Sequence, residues 1–132
     1  MKDILNKIDS FRLKGSDWSE LNELLTDLEK TAHPEKGIVT LFKVLERYHD
    51  RDDHVLWEVG HAVEDMKGFK QELVNSLKRQ PSDIGIMILN AYYNDGVKEI
   101  GNESMTDILK HLENHPKSSD SMISYIKEAF EQ

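Results

Sequence analysis

Apolar side chains recur at the spacing of an α-helix along almost the whole chain, and prolines interrupt this pattern only between the periodic segments. The three prolines are Pro34, Pro81 and Pro116. A proline inside a helix removes a backbone donor and clashes with the preceding turn, so their positions indicate separate helices joined by turns. No segment shows the two-residue alternation of β-branched and aromatic residues that is typical of a strand. The pattern therefore predicts an all-α fold.

Eight periodic segments can be traced, and each is expected to form a short amphipathic helix. Their apolar positions are, in chain order: Ile4, Ile8 and Phe11; Trp18, Leu21, Leu25 and Leu28; Ile38, Leu41, Phe42 and Leu45; Val55, Leu56, Val59, Ala62, Val63 and Met66; Phe69, Leu73 and Leu77; Ile84, Ile86, Met87, Ile88, Leu89, Ala91 and Tyr93; Met105, Ile108, Leu109 and Leu112; Met122, Ile123, Ile126 and Phe130. The sixth segment is apolar on two sides, which is typical of a helix buried between neighbours. We therefore expect the sixth helix to be central.

The odd-numbered helices are expected to start at regular intervals, near Ile38, Phe69 and Ser104. Helical pairs that recur every ~30 to 45 residues are typical of a HEAT-like α-solenoid. The residues themselves do not recur, so a compact helical bundle is the alternative architecture. No linker or low-complexity tract divides the chain. We expect a single domain over residues 1–132, with about eight helices in antiparallel pairs.

Composition narrows the functions that the chain can perform. The chain has 25 acidic and 17 basic residues, a formal net charge of -8, so it repels phosphate backbones and direct nucleic-acid binding is not expected. It has no cysteine, which excludes disulfides and thiolate metal sites and fits a reducing compartment. No apolar stretch reaches the ~18 residues of a membrane span, and residues 1–7 lack the apolar run of a signal peptide. We therefore expect a cytoplasmic protein without membrane contacts.

The fourth predicted helix carries a polar stripe of His54, Glu58, His61 and Asp65, spaced four, three and four residues apart. This spacing places all four side chains on one face, and imidazoles beside carboxylates can bind zinc or act as general bases. The two histidines are two turns apart, however, or ~10.5 Å along the helix axis, which is too far for two short Zn–N bonds. We therefore predict no metal site, no cofactor and no catalytic residue. A metal-dependent enzyme that uses His54, Glu58 and His61 is the least favoured alternative.

The acidic residues of the second and fourth predicted helices suggest a binding surface for a basic protein. If alternate helices of a solenoid line one surface, these two helices are neighbours, and the sixth helix lies beside the fourth. Trp57 is a candidate anchor, because tryptophan buries a large area at interfaces. An ordinary charged exterior that serves solubility is the alternative. The predicted partner-binding residues of this concave acidic surface are Glu20, Glu23, Asp27, His54, Trp57, Glu58, His61, Asp65, Tyr93 and Asn94.

Four stretches in the middle of the chain carry a resemblance to a known family. They are LFKVLERY at 41–48, WEVGHAVE at 57–64, SLKRQPS at 76–82 and MILN at 87–90. With these stretches, residues 37–95 resemble the small all-helical immunity proteins of bacterial polymorphic toxin systems, including contact-dependent growth inhibition systems. The resemblance implies an inhibitor without enzymatic activity that binds a cognate toxin C-terminal domain one to one in the cytoplasm. Such toxins are often basic nucleases.

The chain departs from this family at one position of the last stretch. Many relatives carry an arginine after the Met-x-x-Asn block, whereas Ala91 and Tyr92 follow Asn90 in this chain. If that arginine contacts the toxin, the binding surface of this protein differs from that of its relatives. A general helical adaptor without a toxin partner is the alternative function.

Overall fold

The computed structural model describes residues 1–130, and helices make up 68% of it. A single 3-10 turn, Pro34–Gly37, precedes the third helix. Within residues 1–130 none of the helices combines the length and the apolar character that crossing a membrane requires. The all-α fold and the number of helices are as predicted. The eight α-helices of the described residues are α1 (Lys2–Ser10), α2 (Ser19–Glu29), α3 (Ile38–Arg47), α4 (His54–Glu64), α5 (Phe69–Arg79), α6 (Asp83–Asn94), α7 (Met105–Glu113) and α8 (Asp120–Phe130).

The helices pack in two layers. Each odd-numbered helix contacts the even-numbered helix that follows it, which gives the four predicted pairs. The pairs stack in chain order, so that α1, α3, α5 and α7 form one layer and α2, α4, α6 and α8 form the other. This order of contacts is that of a short α-solenoid, the first of the two predicted architectures. One cluster of buried apolar side chains runs through all eight helices.

Helix α6 is central, as its two apolar sides predict. It contacts α4, α5 and α8, and Ile84 and Ile88 are buried against α4. Gly60 on α4 makes this approach close, because a Cβ atom there would lie 3.1 Å from Ile84 Cγ2 and 3.3 Å from Ile88 Cδ1. The prediction that the apolar residues of α6 face the core was wrong in part, because Met87 is only half-buried and Ala91 is exposed. These two residues lie where α6 reaches the surface of its layer.

A small β-hairpin between α6 and α7 was not predicted. Strand β1 (Glu99–Ile100) pairs antiparallel with β2 (Glu103–Ser104). Gly101 forms the turn with a φ of +62°, and a left-handed glycine is typical of a two-residue hairpin loop. Ile100 is fully buried and anchors the hairpin against the core. Strands of two residues are too short to show any alternation in the sequence.

Trp18 is a core residue, as predicted, and its indole also joins the start of α2 to the start of α4. Its Nε1–H donates to Asp53 Oδ2 at 3.0 Å. Arg51 donates two hydrogen bonds of 2.9 Å to the same carboxylate, and its guanidinium lies over the Trp18 ring. Tyr48 meets the ring edge-on, with centroids 5.0 Å apart. The hydrogen bonds from Arg51 and Trp18 lower the pKa of Asp53 to about 2.

We predict that Ile88→Ala strongly destabilises the fold. Ile88 is 3% exposed on the central helix, and a large-to-small change in a core costs about 2–5 kcal/mol. The free energy of unfolding, measured by urea denaturation, should fall by about this amount. Ala91→Ser on the exposed side of the same helix is the control and should change the free energy by less than about 0.5 kcal/mol. A similarly small loss for Ile88→Ala would contradict the central position of α6.

We predict that Asp53 makes the stability of the protein depend on acid pH. Its pKa of about 2 in the folded state lies below the ordinary value of 3.8, so the folded state binds fewer protons than the unfolded state. The stabilisation is therefore complete above about pH 5 and is lost progressively as the pH falls through 3.8 towards 2. In thermal melts, Asp53→Asn should lower the melting temperature at pH 7 and flatten its decline between pH 4 and pH 2. Asp52→Asn, on the same loop, should retain the slope of the wild type.

Candidate functional site

The two layers of the solenoid differ in charge. The odd-numbered helices contain eight lysine or arginine residues and six acids, whereas the even-numbered helices contain one lysine and nine acids. Because the even-numbered helices lie side by side, one layer carries a net charge of -8 from nine acids and one lysine, whereas the helices of the other layer carry +2 from eight bases and six acids. We call the outward side of α2, α4, α6 and α8 the even-helix face. The nine acids of these helices are Glu20, Glu23, Asp27, Glu29, Glu58, Glu64, Asp83, Asp120 and Glu128.

The acids of the even-numbered helices differ from those of the other elements in their ion-pair partners. Within residues 1–130, none of them forms an ion pair with a lysine or an arginine. The close partners in the described part of the chain are histidines: His54 Nε2 lies 3.0 Å from Glu58 Oε1, and His61 Nδ1 lies 3.8 Å from Glu64 Oε1. The ion pairs of lysine and arginine involve other elements: Arg47–Asp9, Arg51–Asp53, Lys78–Glu103 and Arg79–Glu46.

The polar stripe of α4 lies on the even-helix face, because the opposite side of α4 is buried. The side chains of His54 and His61 are 85% and 66% exposed, Glu58 is half-buried, and Asp65 is exposed directly after the helix ends. Each histidine is close to a different carboxylate, and the stripe does not converge on a common point. Among residues 1–130, no group of three or more His, Cys, Asp or Glu side chains is arranged to hold a metal ion.

Trp57 flanks this stripe and is half-buried. Its ring lies against the imidazole of His61, with centroids 6.0 Å apart and planes inclined by 31°. An aromatic side chain that is already partly ordered by its neighbour loses little entropy when a partner covers it. The position of Trp57 therefore suits an anchor at the edge of the even-helix face.

The predicted acids of α2 are exposed but do not line the groove between α2 and α4. Glu20, Glu23 and Asp27 are all exposed, whereas the open groove of 590 Å³ between the helices is lined by other side chains of α2. Asp17, at the rim, accepts hydrogen bonds from the backbone N–H and the hydroxyl of Ser19, which lower its pKa. The residues lining the groove are Ser16, Asp17, Trp18, Ser19, Asn22, His54, Val55 and Glu58.

The predicted pair Tyr93 and Asn94 lies apart from the α4 stripe. Both line an open cavity of 990 Å³ between the end of α6, the hairpin and α7. The Tyr93 hydroxyl donates to the carbonyl of Phe130 at 2.9 Å, and the two rings pack with centroids 5.0 Å apart. Tyr93 therefore faces α8, and the structure does not place it beside His61.

A groove between α6 and α8 was missed, because the sequence argument for the shared surface stopped at the sixth helix. This groove of 170 Å³ is lined by Asp83, Ile86, Met87, Ser121, Met122 and Tyr125. Asp83 is half-buried at one end of this groove. Burial raises the pKa of the Asp83 carboxyl, and the nearby charges of Asp50 and Asp52 raise it further. If the expectation that alternate helices line one surface had been extended to α8, it would have placed α8 beside α6 and indicated this groove.

Comparisons of the chain with family models, curated proteins and solved structures found no match. The charge and the grooves of the even-helix face are therefore the observations from which a function is inferred.

Proposed function

We propose that the protein is an immunity protein that binds a basic bacterial toxin domain through the even-helix face and thereby neutralises it. The observation that supports this proposal is the concentration of net negative charge on the even-numbered helices, whose acids form no ion pair with lysine or arginine within residues 1–130. Charge that served solubility alone would not need to be collected on one side of the molecule. A basic protein surface is the complement of such a face.

The even-helix face is large enough for a specific complex. A standard interface removes about 800 Å² from each partner, and the accessible surface of the protein is 7500 Å². An interface of this kind would cover about a tenth of the surface, which matches the outward sides of two or three neighbouring helices. A one-to-one complex therefore needs no second copy of this chain.

Charge and apolar anchors would have different tasks in the complex. Exposed charges mainly accelerate the encounter and exclude wrong partners, whereas a few desolvated side chains determine the lifetime. We assign the first task to the acids of α2 and the second to Trp57. Glu58 and Asp65 lie on the outward side of the same α4 segment and would bind basic residues around this anchor.

The resemblance of residues 37–95 to immunity proteins favours a toxin over other basic proteins. The decisive experiment is co-expression of the chain with a candidate toxin C-terminal domain from a neighbouring reading frame, followed by purification and a growth assay. We expect a one-to-one complex and restored growth of cells that produce the toxin. A toxin domain that stays active and unbound in the presence of the protein would contradict the proposal.

We predict that reversing Glu23 and Asp27 to lysine slows association with the toxin. Each change removes one negative charge from the even-helix face and adds a positive one, so electrostatic steering becomes weaker. Stopped-flow or surface plasmon resonance measurements should show an association rate about tenfold lower at low salt and less dependent on salt concentration. The matched control reverses Asp3 and Asp107, which are exposed on the odd layer and change the net charge equally. An equal effect of both pairs would show that net charge, and not this face, drives association.

We predict that Trp57→Ala chiefly accelerates dissociation. Truncating an aromatic anchor at an interface costs about 2 kcal/mol or more, which corresponds to a dissociation rate at least about thirtyfold higher. The matched control is Val39→Ala, because Val39 is an exposed apolar residue on α3 in the other layer. Circular dichroism must show that both variants remain folded. An unchanged dissociation rate for folded Trp57→Ala would show that Trp57 is not part of the interface.

A further inference from the structure

The groove between α6 and α8 has the size and lining of a socket for a single side chain. Its volume is 170 Å³, and a cavity of about 150 Å³ is sufficient for a six-membered carbon ring. Met87 and Met122 supply flexible, polarisable walls, which adapt well to an inserted side chain. The Tyr125 ring forms a further wall, and its hydroxyl accepts a hydrogen bond from Asn90 Nδ2 at 3.1 Å.

The polar end of the groove is a carboxylate without a basic partner. Asp83 is half-buried and forms no ion pair with a lysine or an arginine in the described part of the chain. Burial raises the pKa of the Asp83 carboxyl, and the negative charges of Asp50 and Asp52 raise it further, whereas nearby His49 acts in the opposite direction. A desolvated carboxylate beside like charges is energetically unfavourable until a cation approaches it. The groove is thus apolar along its length and negative at one end.

We infer that this groove receives an arginine side chain of the basic partner. The inference rests on the proposed function for the source of the arginine, but the groove can be tested without the toxin. The methylene stem would lie between the methionines, and the guanidinium would donate hydrogen bonds to the Asp83 carboxylate. Arginine fits better than lysine, because its guanidinium is planar, is less strongly hydrated and stacks on an aromatic ring such as that of Tyr125.

The test is an NMR titration of the isotopically labelled full chain with the peptide acetyl-Gly-Arg-Gly-amide. The matched peptide with glutamine in place of arginine controls for contacts of the backbone. We expect weak, saturable binding of the arginine peptide alone, with amide shifts concentrated around Met87, Ser121 and Tyr125. Shifts spread evenly over the acids of α2 and α4 would mean that the peptide only senses charge, and would overturn the assignment.

Two variants and one control make the result specific. Asp83→Asn removes the charge and should weaken peptide binding by about fivefold, the upper range for a partly exposed ion pair. Met87→Lys places an ammonium group one turn from Asp83, inside the groove, and should abolish binding by filling the socket. Asp107→Asn removes an exposed acid from the first turn of α7, in the other layer, and should leave binding unchanged. Equal weakening by Asp107→Asn and Asp83→Asn would overturn the inference.

The free protein provides a second readout. Burial raises the pKa of Asp83, so keeping its carboxylate ionised at neutral pH costs stability relative to the unfolded state, and Asp83→Asn should maintain or raise the melting temperature. If Asp83→Asn is as stable as the wild type but binds the arginine peptide less well, Asp83 serves binding and not the fold. A clear drop in melting temperature would instead assign Asp83 to the fold. Failure of the toxin to bind would contradict the proposed function, whereas failure of the peptide titration would contradict the socket.

Discussion

The even-helix face depends on the register in which the helices bury their apolar sides. In α2 the buried positions are Leu21, Leu24, Leu25 and Leu28, and in α4 the same spacing is repeated by Leu56, Val59, Gly60 and Val63. Because both helices turn the same set of positions towards the odd layer, their polar sides point the same way. Neighbouring helices therefore add their acids to one surface. The charge pattern follows from the packing of the core and needs no additional structural device.

The distribution of ion pairs separates stabilising charges from charges that remain unpaired. The arginines of α3, α5 and the α3–α4 loop each bind an acid, and the Asp53 cluster fixes the start of α4 against Trp18. The acids of the even-numbered helices have no such partners within residues 1–130, and repulsion among them lowers stability slightly. A protein that keeps this repulsion on one face and pairs its charges elsewhere is better suited to binding a basic partner than to maximal stability. This contrast is the physical basis of the proposed inhibitor function.

Helical periodicity was sufficient to predict the helices, the central position of α6 and the burial of Trp18, because each depends on spacing within one segment. The features that it missed depend on how segments are placed against each other. The orientation of α6 exposes Ala91 and turns Tyr93 towards Phe130, and it depends on packing against other helices, including the close approach of Ile84 and Ile88 to Gly60 on α4. The Trp18–Asp53 hydrogen bond joins residues 35 positions apart. No local pattern in the sequence specifies either contact.

The even-helix face is not uniform, and its two ends suit different stages of binding. At the α2 end, the helix carries four exposed acids that do not line the wide groove between α2 and α4, and these acids attract a basic surface without holding a particular side chain. At the α6–α8 end, the groove is narrow and apolar, with one desolvated carboxylate, so it discriminates by shape as well as by charge. Exposed charge acts over a Debye length of about 8 Å at physiological salt, whereas a socket acts only on contact. A basic partner would therefore be attracted mainly by α2 and retained mainly by the sites on α4, α6 and α8.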